Sequence, residues 1–229
     1  MFLTIARQYS RNFKEGRKCP NQFVGMISVA NRCTSNPTSN ESGNDFSIRD
    51  DTDSYVRPET PIIILILESP HKAEFDNQYP SPKPAAGNKY SNTGRIIREI
   101  FGEVCSIHDY LPNGEYPLVI LNAIQYQCSL GKRTTSYRDK VFIECWSNFG
   151  KLDFKNELLK FYKPDDIIIN ACSCGHNKTK LRALVKESIK NIVTPTPPSI
   201  LEVKHPSNWK RRKNIALKNG GIPNYSWKS

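Results

Sequence analysis

The sequence predicts an α/β fold, a three-layer α/β/α domain around a central, mainly parallel sheet of about four strands. Two observations carry that expectation. Short apolar runs recur at Ile62 to Leu67 (IIILIL), Leu118 to Leu121 (LVIL), Ile167 to Ile169 (III) and Ile200 to Val203 (ILEV). Stretches of helical periodicity lie between them, at Thr93 to Phe101, Tyr137 to Phe161 and Lys178 to Ile192. Near-continuous β-branched runs bounded by polar residues mark strands buried on both faces, and intervening helices make the crossovers that parallel pairing requires.

Taken in order, the chain begins with MFLTIARQYSRNFKEGRK, which is basic, nearly free of acids and lacks a long apolar stretch. It reads as a basic surface helix rather than a secretory signal, with an organelle presequence as the alternative. Residues 34 to 54 are rich in Ser, Asn, Thr and Asp, a composition that buries too little to offset the entropy of ordering. Residues 1–57 are therefore assigned as a basic segment and linker, and residues 58–229 as the domain that carries fold and chemistry.

Composition narrows the class. Thirty-three Lys and Arg against 22 Asp and Glu leave a formal charge of +11 on 229 residues, which favours an anionic partner such as nucleic acid. Seven cysteines, an odd number with no C-x-x-C pair, indicate neither a disulfide framework nor a zinc ribbon, so a reducing, cytoplasmic setting is expected. No apolar run approaches the roughly 18 residues that span a bilayer, so no membrane partner is expected. A monomer is the expected state.

Ligands of parallel sheets bind beyond the carboxyl ends of the strands. The residues there are Glu68-Ser69-Pro70-His71, Asn122-Ala123-Ile124-Gln125, Asn170-Ala171-Cys172-Ser173 and His205-Pro206-Ser207. Three of these segments, IIILILESPH (62–71), LVILNAIQ (118–125) and ILEVKHPSNW (200–209), occur in an order and spacing that resembles the uracil-DNA glycosylase superfamily. The resemblance implies a DNA partner, a flipped base and hydrolysis of its N-glycosidic bond. It implies that Glu68 orients water and stabilises the sugar cation, that His205 donates a hydrogen bond to the departing base, and that Asn122 reads the base edge. Ser69, Pro70 and His71 would form the pocket wall. Trp209 would plug the duplex where the base left, with Ser207, Asn208, Lys210, Arg211, Arg212 and Lys213 on phosphates.

The chemistry asks for such residues independently of the family. Cleaving an N-glycosidic bond builds positive charge on the sugar and negative charge on the base, so a carboxylate and a hydrogen-bond donor are both useful. The competing readings are a strand-end carboxylate capping its turn, a structural histidine, an Asx turn at Asn122 and a core tryptophan at position 209.

Two departures from the family pattern matter. The commonest first motif carries Asp where this chain has Ser69, and the acid stands one residue earlier at Glu68, as in branches that often hold an iron–sulfur cluster. The cysteine spacing here does not reproduce theirs, so no cofactor and no metal are expected. Ala85 occupies a position where those branches place an aromatic ring, which predicts a roomier pocket, suited to a bulky modified cytosine of the kind found in phage DNA and hence to antiviral defence.

Lys72 is read as a solvated lysine rather than a lyase nucleophile. Cys172, Cys174 and His176 crowd three donors into five residues without a fourth, and are not assigned to zinc. Two rivals to the enzyme reading are a DNA-binding module that has lost turnover and a metal-dependent phosphodiesterase. The second lacks the clustered carboxylates that two-metal chemistry requires.

Overall fold

The computed structural model describes residues 17–31, 33–38, 57–75, 92–106, 111–129, 134–176, 180–193 and 200–209. In chain order they form β1 (Gln22–Ala30), β2 (Cys33–Thr34), β3 (Ile63–Leu67), α1 (Asn92–Ser106), β4 (Gly114–Asn122), α2 (Thr134–Cys145), a π-helical segment (Trp146–Gly150), α3 (Lys151–Phe161), β5 (Ile167–Asn170), α4 (Leu181–Ile192) and β6 (Ile200–Glu202). Single turns of 3-10 helix follow β3 at Lys72–Phe75 and β6 at Pro206–Asn208.

The four apolar runs become the four parallel strands, β4, β3, β5 and β6. They belong to one six-stranded sheet of order β2-β1-β4-β3-β5-β6, mostly parallel, with β1 antiparallel to β4 and β2 antiparallel to β1. The expectation of about four strands, with structure beginning near residue 58, is corrected by this pair. β1 reads QFVGMISVA and buries most of its alternate positions, the pattern of an antiparallel strand rather than a continuous apolar run. A search for unbroken β-branched runs passes over it.

Side chains of β3 alternate between two apolar clusters. Ile62, Ile64 and Ile66 pack with Phe142 of α2, Phe154 and Leu158 of α3, and Val185 and Ile189 of α4. Ile63, Leu65 and Leu67 pack with Ile96, Ile97 and Phe101 of α1. All five residues of β3 are buried, and each such side chain contributes about 1.5–3 kcal/mol of transfer free energy, which is why the least polar run of the chain lies mid-sheet.

At the amino ends of the strands Asp166 is fully buried and ties the start of β3 to the start of β5. Its Oδ1 accepts from Ile62 N at 2.9 Å and from Arg57 Nη2 at 2.5 Å, and its Oδ2 accepts from Lys163 N at 2.6 Å. Every oxygen of this carboxylate is committed to holding backbone, so the amino-terminal rim is structural. The chain order reverses at β3, because β4 pairs on one side of it and β5 on the other. A crevice at the carboxyl ends is expected where the order reverses.

Candidate active site

A cavity of about 580 Å³ opens at the carboxyl ends of β3, β5 and β6. Its wall includes Glu68, Ser69 and His71 after β3, Ser173 to His176 after β5, and Lys204, His205, Ser207 and Asn208 after β6. The chain leaving β3 is held against the chain leaving β4, since Ala123 N donates to Leu67 O at 2.8 Å and Ile124 N to Glu68 O at 3.0 Å. Glu68 is thereby set at the strand end, only 4% exposed.

The carboxylate of Glu68 has two partners. Ser173 Oγ donates to its Oε2, and Arg138 Nε lies 3.1 Å from its Oε1. Burial pushes the Glu68 carboxyl above its usual range, Arg138 and the Ser173 hydroxyl pull it back, and the charge of Asp139 pushes it up further. The outcome is a carboxyl that holds its proton more tightly than one in water, a state suited to taking a proton from an attacking water.

His205 stands at the start of the 3-10 turn. Its Nδ1 accepts from Ser207 N at 3.3 Å and meets Ser207 Oγ at 2.9 Å. A neutral imidazole whose Nδ1 accepts a backbone N–H carries its proton on Nε2. Burial and the nearby guanidinium groups of Arg138 and Arg182 push the imidazole down to about 4, so at neutral pH it is an uncharged donor. Elsewhere on the wall, His71 is also lowered, by burial and by Lys72, while its backbone N donates to Glu74 Oε2 at 3.1 Å.

Glu68, Ser69, His71, His205, Ser207 and Asn208 are thus brought to one pocket. Pro70 is buried between two of them and is absent from the wall. Asn122, expected to read the base, lies elsewhere. Its carboxamide is buried, finds no partner for Oδ1 or Nδ2 among the described residues, and borders a separate cavity of only about 10 Å³ beside Phe149 and Glu157. Its backbone N donates to Asn21 Oδ1, just before β1, at 2.9 Å.

Trp209 requires correction outright. It is 0% exposed, packs on Phe101 with ring centroids 6.5 Å apart, and donates from Nε1 to Lys204 O at 2.7 Å. The turn Pro206–Asn208 rolls the indole inward, and the competing reading of a core tryptophan is the one observed. Ala85, Lys210, Arg211, Arg212 and Lys213 lie outside the described residues.

Arg138 and Arg182 are wall residues that sequence reasoning missed. Helix amino termini share that rim with the strand ends, and the apolar runs that mark strands carry no sign of them. Arg182 is the second residue of α4, where the helix dipole disfavours a cation by about 0.3–1 kcal/mol, and a cation kept against that bias was a usable signal. Its Nε donates to Cys172 O at 2.7 Å. Cys172 is buried whereas Cys174 is exposed.

The chain matches no family model, no curated protein and no solved structure. Among the described residues, no helix is long and apolar enough to cross a membrane.

Proposed function

We propose that this protein is a DNA glycosylase, acting as a cytoplasmic monomer, that flips a pyrimidine-like base and hydrolyses its N-glycosidic bond without a cofactor. The observation that carries the reading is the placement of Glu68 and His205, from strands at different positions in the sheet, on the wall of one cavity. The three-layer α/β/α arrangement belongs to the same reading, supported by helices packed on both faces of β3.

In this mechanism Glu68 accepts a proton from water and faces the sugar as positive charge develops. His205 donates from Nε2 to the base as negative charge develops. A neutral donor stabilises an anion without first being paired by a counter-ion, and hydrogen bonds to ions are the stronger kind. With Asn122 off the wall, the polar groups placed to read a base edge are Ser69, His71 and Ser129. A cavity of about 580 Å³ has room for uracil and for a cytosine with a bulky 5-substituent, which keeps antiviral defence within the proposal.

The test is mass analysis of bases released from DNA containing uracil or bulky 5-substituted cytosines. Base release is expected to fall about 10²–10⁴-fold in Glu68→Gln and in His205→Ala, with duplex binding retained. Binding without any released base from any of these DNAs would instead favour a catalytically silent DNA-binding module on this fold, the reading that the net charge of +11 supports equally well.

A further inference from the structure

We propose that Arg138 is a positioning residue for Glu68, its guanidinium shared between that carboxylate and the buried carboxylate of Asp139. What Glu68 does rests on the glycosylase reading; the charge arrangement around it does not. Arg138 Nε is 3.1 Å from Glu68 Oε1, and its Nη2 is 2.9 Å from Asp139 Oδ1. Nε also donates to that same Asp139 oxygen at 3.0 Å. One cation therefore serves two acids, and the three side chains are 12%, 5% and 1% exposed for Arg138, Glu68 and Asp139.

Asp139 is anchored on its far side. His176 N donates to its Oδ2, and the loop reaches that position through Gly175, whose φ of +79° is a left-handed conformation that L side chains rarely adopt. A Cβ at position 175 would also meet Asp139 Oδ2 at 2.9 Å and Leu181 Cγ at 3.1 Å. The second acid is thus built in from α2, the loop after β5 and the start of α4 together, more support than a fortuitous surface pair receives.

The remaining groups around Glu68 leave the two neighbours from α2 in control. Cys128, after β4, and Cys172, after β5, are fully buried thiols pushed well up by burial. His205, after β6, is neutral above about 4. Arg182 of α4 and Lys204 add positive charge at the wall, and Glu74 and His71 line it as well. Ser173 supplies a neutral hydroxyl. Removing the Arg138 charge must then make Glu68 harder to ionise, whereas removing the Asp139 charge must make it easier, because Arg138 is left to one carboxylate. Opposite displacements by adjacent residues of one helix are not what a loss of packing produces.

Carbon-detected NMR titration of protein labelled at the glutamate carboxyls tests this, the Glu68 signal being identified by its absence in Glu68→Gln. Arg138→Gln is expected to move the Glu68 midpoint up by about one unit, tenfold in proton affinity, and Asp139→Asn to move it down by about half a unit. Arg138→Lys keeps the charge without the fork and is expected between wild type and Arg138→Gln. The acid limb of base release should move with each midpoint. Midpoints that shift in the same direction in both charge-removing variants, or by less than about 0.3 unit in either, overturn the assignment. If Arg138→Gln does not fold, Arg138→Lys set against Asp139→Asn applies the same opposition of sign. A wild-type protein that releases no base while the midpoints still move oppositely removes the glycosylase reading and leaves the role of Arg138 standing.

Discussion

His205 and Trp209, four residues apart, show how differently neighbouring side chains can be governed. The imidazole is placed by its own backbone, through the Ser207 N–H, and it lies on the wall of the site. The indole is placed by its Nε1 bond to Lys204 O and by Phe101, and it belongs to the core. The cations flanking Trp209 in sequence are silent about the direction in which the ring points. A prediction follows for the histidine. Its pKa is lowered from 6.5 to about 4 in the folded state, so between those values the unfolded chain binds more protons and stability falls as pH drops through that window. His205→Gln should flatten this dependence. The check is the difference in urea midpoint between pH 7 and pH 5, wild type against variant, because His71 contributes in the same direction and cancels in the comparison.

Among the elements, α1 is joined closely to the β2 end of the sheet. Gly102 N donates to Asn36 Oδ1 at 2.9 Å, Asn36 Nδ2 donates to Glu99 O at 3.1 Å, and Ser35 N donates to Ser28 O at 2.8 Å. A stretch that composition assigned to a linker is therefore pinned to a helix along residues 33–38. A Cβ at Gly102 would run into the carbonyl oxygen of Thr34 and lie 2.8 Å from the carbonyl carbon and oxygen of Ser35, all of them backbone atoms. Alanine in a helix interior is favoured over glycine by about 1 kcal/mol, whereas forcing extra volume into a tight contact costs about 1–3 kcal/mol. The second effect wins here, because the obstacle is backbone. Gly102→Ala is expected to lower stability by about 1 kcal/mol in urea unfolding, and a rise in the midpoint would show that this join is looser than its geometry.

For the protein as a unit, the formal charge of +11 sets how it meets a polyanion. Each phosphate neutralised releases counterions, so duplex affinity should fall on the order of 100-fold between about 50 and 200 mM salt, as measured by fluorescence anisotropy. A salt-independent affinity would remove DNA from the proposal. What the sequence determined by itself is the parallel part of the sheet, since IIILIL, LVIL, III and ILEV satisfy the burial of both faces whatever surrounds them, together with the rim on which Glu68 and His205 stand. Those are consequences of local pattern and of the rule that strand ends gather at one edge. Tertiary structure alone decided the rest. That the Asn122 carboxamide borders the small cavity beside Phe149 rather than the Glu68 pocket, and that Trp209 is inside against Phe101 of α1, follow from which elements pack together. The cation that meets Glu68 comes from 70 residues further along the chain, brought there by the packing of α2 against β3. Partners so distant in sequence leave no periodic trace, because burial and charge pairing are settled by which surfaces meet once the sheet has closed.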